Sequence, residues 1–111
     1  MNRFKLFKAG VNVNEALVRV GNDKALYEEL LERFKVDERY GRLLAAMAAE
    51  DQEEAFQMGH ALKGTAGNLG FTRFFDALVP LVESLRTGDL ALAKASLPAV
   101  EEAYKALVEA I

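Results

Sequence analysis

Apolar residues recur at 3.6-residue spacing along nearly the whole of this 111-residue chain, and only two prolines interrupt them. That period is the signature of amphipathic helices, and the helix formers Ala, Leu, Glu, Lys and Arg fill the positions between. The fold class that follows is all-α. Asn12 and Glu15 read as a capping box that opens a short first helix, striped by Ala16, Leu17 and Val20 and stopped at Gly21. Asn22 or Asp23 caps a second helix with Leu26, Leu30, Leu31 and Phe34 on one face. From Val36 the apolar set Tyr40, Leu43, Leu44 and Met47 is rotated by roughly 130°, which predicts a kink or break near Val36 to Glu38.

Asp51 and Glu54 form another capping box, predicting a third helix from about Gln52 to Leu69, with Gly70 as its left-handed end. Thr72 is read as the cap of a fourth helix that carries Phe74, Leu78, Leu81, Val82 and Leu85, is kinked by Pro80 and closes at Gly88. Asp89 caps the last helix, with a bend expected at Pro98. Connections of a few residues make sequential helices antiparallel neighbours. The expected architecture is an antiparallel up-and-down four-helix bundle with an additional short N-terminal helix, one domain over residues 1–111, divided into an arm (1–10) and the bundle (11–111).

Composition narrows the function. With 17 acids against 14 bases the net charge is −3, which lacks the basic field that phosphate backbones require, so nucleic acid is not an expected partner. The absence of cysteine removes disulfides, thiolate metal sites and thiol catalysis, and the expected compartment is the cytoplasm. The start "MNRFKLFKAG" interleaves Arg3, Lys5 and Lys8 with Phe4, Leu6 and Phe7. A membrane-surface arm is one use of such a pattern. Packing on a bundle end is the commoner one, and no membrane contact is expected.

The stretch "MGHALKGTAGNLGF" holds the only histidine and four glycines inside an otherwise helical pattern. On the helical wheel Ala55, Met58, Leu62, Ala66 and Leu69 fall within about 80° of one another, a stripe that faces the core. His60 lies roughly 200° from Leu62 and so points outward. Phe56, Gln57, Lys63 and Gly64 share its face, with Gly67 one turn on. Gly64 and Gly67 together forgo roughly 2 kcal/mol of helix propensity where long polar side chains would be usual. Bare positions beside an imidazole let another surface come within bonding distance of it. Phe56 offers that surface an apolar contact, and Lys63 offers a cation to an anion carried on the ring. A free imidazole titrates at about 6.5, so near pH 7 a ring nitrogen lone pair is commonly available as a nucleophile. The pattern describes a histidine that a partner touches and that then bears negative charge, phosphate being the obvious anion. Gly59 lies nearer the stripe and is read as a close-packing residue.

These residues resemble the histidine-containing phosphotransfer (HPt) domains of multistep two-component phosphorelays. The motif H-x-L-K-G with a trailing glycine is matched by His60, Leu62, Lys63, Gly64 and Gly70; Gly10 to Phe34 and the Gly88–Asp89 turn resemble the family's opening and its last turn. Gly59 stands where the family more often has alanine, and Pro80 is a second departure. The resemblance implies that His60 accepts a phosphoryl group from the aspartate of one receiver domain and passes it to another. Lys63 would steady the phosphoryl charge and Gly64 would keep the ring accessible. The implied protein is a carrier and not a kinase. It has no cofactor or metal of its own, Mg²⁺ belonging to the receiver, and its partners are receiver domains of response regulators or hybrid sensor kinases. Phe56, Gln57, Gly67, Phe75 and Val79 are nominated as the docking surface, and the chain is expected to act as a monomer. Met1 and a full set of helices favour a free-standing shuttle over a piece of a hybrid kinase.

Other classes fit less well. A single His with no Cys leaves no dyad or triad, and a di-iron bundle needs two E-x-x-H motifs where this chain has Gln57-x-x-His60. A helical scaffold, or a degenerate HPt domain that binds receivers without carrying phosphate, remains as the alternative, and the former leaves the bare face around His60 unexplained.

Overall fold

The computed structural model describes all 111 residues, most of them in seven helices: α1 (Arg3–Lys8), α2 (Val13–Arg19), α3 (Lys24–Lys35), α4 (Arg39–Ala48), α5 (Gln52–Leu69), α6 (Thr72–Thr87) and α7 (Leu90–Ala110). Helices α4 to α7 pack in sequence order as the bundle, α4 on α5, α5 on α6 and α6 on α7. Tyr40 of α4 closes it against Tyr104 of α7, their rings stacked with centroids 3.5 Å apart. One core runs through the whole, with Leu43, Leu62, Leu78, Leu81, Leu85, Val100 and Leu107 buried between the bundle helices.

Most starts lie where capping chemistry demands. The side chains of Asn12, Asp23, Asp51 and Asp89 accept hydrogen bonds from the backbone N–H groups of Glu15, Leu26, Glu54 and Leu92, satisfying donors that have no partner within the helix. The expected break falls at Val36 to Glu38, dividing the predicted second helix into α3 and α4. Asp37 restarts the chain there: its carboxylate accepts the Arg39 backbone N–H at 2.9 Å and the Arg39 guanidinium at 2.6 Å, and Arg39 also donates to Thr65 Oγ1 of α5. That guanidinium, donating to the carboxylate, holds Asp37 below the usual carboxylate range.

The first ten residues, expected to pack on the bundle end, form a helix of their own there: Asn2 caps α1, Leu6 and Ala9 are buried on the bundle, and the short N-terminal helix has a companion. One expectation is corrected. Thr72 is not a cap. Phe71 occupies that position with no side-chain bond, and the Thr72 hydroxyl donates back to the Gly70 carbonyl at 3.4 Å. Phe71 is instead 1% exposed and paired with Val11 in an isolated antiparallel bridge, a tertiary contact that fixes the turn without capping it. Helices α6 and α7 both continue through their prolines, and the Ser84 hydroxyl donates to the Pro80 carbonyl at 2.7 Å.

Candidate functional site

Helix α5 is fixed at both ends, which sets the face it presents. The Asp51 cap accepts the Glu54 N–H at 3.2 Å, and Gly70 ends the helix at φ 75°, a left-handed turn natural to glycine. A side chain there would also strike the Asn12 carbonyl oxygen, 2.4 Å from the Cβ position. The buried Tyr27 hydroxyl donates to the Leu69 carbonyl at 2.8 Å, satisfying an acceptor of the last turn. With Ala55, Gly59, Leu62, Ala66 and Leu69 turned into the core, the opposite face carries His60 into solvent.

The His60 ring stands on Phe56, one turn earlier, with centroids 5.7 Å apart and planes inclined by 19°. Phe56 is half-buried, so the imidazole rests on an anchored aromatic plate. On the other side, Gly64 leaves open space: a Cβ placed there would meet nothing within 4 Å. Lys63 lies about 60° from His60 on the wheel, on the Phe56 side. It forms no ion pair, whereas nine of the chain's 14 bases do. Gln57 is exposed on the same face.

Antiparallel packing lays α6 beside this face, Gly67 against Phe75 and Gly59 against Val82. The exposed margin of α6 then runs Phe75, Val79, Glu83, Arg86, each three or four residues from the last. Phe75 is half-buried beside Gly67, and Val79, one turn on, is 42% exposed. Glu83 and Arg86 were not among the residues singled out from sequence, although they continue the spacing that starts at Phe75 and Val79. The Arg86 guanidinium, bonded to Glu83 at 2.5 Å, holds that carboxyl below its ordinary range, and the nearby charge of Lys63 adds to the effect.

The two outward glycines have different surroundings. Gly64 is open to solvent. At Gly67 a Cβ would rest against the Phe75 ring at 3.5 Å, an ordinary contact distance, and Arg19 of α2 donates to the Gly67 carbonyl. Gly67 therefore borders α6 and α2, where Gly64 borders only solvent. Gly59 is buried, its Cβ position 3.1 Å from Val82 Cγ2 and 4.0 Å from Leu43 Cδ1, as the close-packing reading expects.

A family model described as Hpt domain matches residues 25–110. The chain belongs to the Hpt domain family. Hpt domains serve histidine phosphotransfer in phosphorelays and interact there with receiver domains of response regulators. No curated protein and no solved structure gives a significant match to the chain. In this Hpt domain the matched segment begins inside α3, so α1 and α2 precede it even though both contribute to the core. No helix is long and apolar enough to cross a membrane, and no group of three or more His, Asp or Glu side chains is placed to hold a metal ion.

Proposed function

We propose that this Hpt domain is a phosphocarrier that relays a phosphoryl group between receiver aspartates through His60. The observation that carries the reading is the His60 ring standing exposed on Phe56 with open space over Gly64. In the accepting step a ring nitrogen lone pair attacks the phosphorus of a receiver's aspartyl phosphate. An N–P bond forms, the P–O bond to the aspartyl carboxylate breaks, and the carboxylate leaves with the electron pair. The second ring nitrogen keeps its proton. The donating step is the same displacement in reverse, onto the aspartate of another receiver.

Each neighbour has a part in that exchange. The Phe56 plate fixes the ring plane, which reduces the freedom lost on docking. Lys63, free of any competing carboxylate contact, is available to the phosphoryl oxygens as charge builds on them. Gly64 admits the partner's reacting carboxylate, and Phe75 with Val79 supplies apolar area beside it. The domain contributes the nucleophile and its setting, with no kinase chemistry, cofactor or metal of its own; the divalent cation would come with the receiver.

The test is to incubate the protein with a phosphorylated receiver domain and assay for acid-labile, base-stable phosphate on the chain. Wild type is expected to become labelled and His60→Gln to remain unlabelled. If candidate receivers bind but label neither protein, the domain is a receiver-binding module that carries no phosphate, and the proposal is wrong.

A further inference from the structure

Five of the chain's bases make no ion pair: Lys63 beside His60, Lys105 of α7, and all three bases of α1, namely Arg3, Lys5 and Lys8. Three of these five free charges are therefore concentrated on one short helix, away from the phosphotransfer site. The first 14 residues contain those three cations and no acid, in a chain whose net charge is −3. On the same short helix, Phe4 and Phe7 are 70% and 74% exposed, the largest exposures of any aromatic residue in the molecule. A protein of this size has room to bury two phenylalanines, and it buries Leu6 (1%) from the same helix instead.

The orientation is fixed. Leu6 and Ala9 are held in the bundle end, and Val11 is bridged to Phe71. At ~100° per residue Phe4 and Phe7 then lie about 60° apart on the side away from Leu6, with Arg3 and Lys8 flanking them at about 40° on either side. Lys8 Nζ sits 5.4 Å from the Phe4 ring centroid, so charge and ring project together. Beside Phe7 opens a cavity of about 440 Å³ lined by Arg3, Asn12, Asn14 and Thr72, with no carboxylate in its wall. Glu28 and Glu32 line the recess on the Leu6 side of the helix, and Glu109 shares a shallow recess with Lys5 and Lys8 without pairing with either.

From these observations we infer that α1 is a docking face for an anionic lipid surface, which takes Phe4 and Phe7 into its interfacial layer while Arg3, Lys5 and Lys8 meet headgroup phosphates. Two aromatic side chains flanked by cations match a boundary that is apolar a few ångströms below a layer of negative charge. An acidic protein would satisfy the cations but would need a complementary apolar recess for two protruding rings. The neighbouring polar cavity, with its arginine and hydroxyl, is of a size and chemistry to admit a phosphate headgroup. His60 precedes the helix end nearest α1 by some 15 Å of α5 at 1.5 Å per residue, so the lipid-facing end and the phosphotransfer face are separate. The domain would exchange phosphate while resting on the membrane.

The test is sedimentation of the full chain with vesicles of phosphatidylcholine alone and of phosphatidylcholine with phosphatidylglycerol. Binding is expected only to the anionic vesicles, weakening with salt, and the partition coefficient is expected to fall by about ten-fold or more in Lys5→Glu/Lys8→Glu. Phe4→Ser/Phe7→Ser, whose side chains are outside the core, is expected to lose binding with an unchanged circular dichroism melt. His60→Gln is expected to bind vesicles as wild type does, which separates this inference from the phosphocarrier reading. Equal partition to neutral and anionic vesicles, or retention of binding without the two phenylalanines, would overturn it. So would absence of vesicle binding together with loss of phosphotransfer in the phenylalanine variant, which would assign the face to a protein partner.

Discussion

Gly59 and Gly64 lie on one helix and differ in what a side chain would meet. Leucine at 59 would be driven into Val82 and Leu43 where three helices cross, and Gly59→Leu is expected to cost about 1–3 kcal/mol in chemical denaturation. Gly64→Gln meets only solvent and adds helix propensity, so its melting temperature is expected to hold or rise while the rate of phosphotransfer from a receiver falls. A Gly64→Gln protein that transfers as fast as wild type would remove steric access as the reason for that glycine. Tyr27 acts at the far end of the same helix. Burial pushes its hydroxyl up to about 12, and burial, with help from Glu101 and Tyr104, does the same to Tyr40. Because these folded-state values lie above the unfolded tyrosine value near 10, the stability they contribute is fully present below pH 10 and is lost as pH rises toward about 12. Thermal melts across that range should show the fall. Tyr27→Phe should flatten part of it, at a cost at neutral pH of about 1–2 kcal/mol from leaving the Leu69 carbonyl unpaired.

Among the elements, the junction between α3 and α4 depends on one ion pair with an added backbone contact. Asp37 is held below its ordinary range by Arg39, so its contribution is present above the unfolded carboxylate value and lost as pH falls through the depressed one. Asp37→Asn is expected to lower stability by about 1 kcal/mol at neutral pH and to reduce the acid sensitivity of the melt, both measurable by urea titration at two pH values. This junction was legible in advance from the phase of the apolar stripe, as were the caps at Asn12, Asp51 and Asp89, because each depends on residues within one or two turns. What was not legible depended on contacts between distant segments. Phe71 takes the start of α6 because Val11 pairs with it, so Thr72, a good cap by composition, is displaced by one position. Between α4 and α5 the chain turns at Glu50 with φ 55°, a left-handed residue without glycine or asparagine to announce it. The same limit applied at the site. His60, Lys63 and Gly64 could be placed on one face by counting, but the Phe75 ring against Gly67 and the Glu83–Arg86 pair needed the register of α6 on α5.

For the molecule as a whole, the two N-terminal helices are part of the packed structure and not an accessory to it. Leu6, Ala9, Val11, Val13 and Ala16 are all buried, and the Asn12 N–H donates to the Gly70 carbonyl at 2.7 Å, tying them to the end of the histidine-bearing helix. Leu6→Ala is expected to cost about 2–4 kcal/mol in a denaturant titration, more than a surface helix of six residues would ordinarily lose. The family model matches from residue 25, inside α3, whereas the packing begins at Leu6. A fragment trimmed to residues 25–110 would uncover Phe71 and the base of the Gly70 turn, and is expected to melt well below the full chain or to aggregate when expressed. Where this polypeptide can be cut is decided by the side chains that seal its core, and that boundary lies a full two helices upstream of the segment the family model matches.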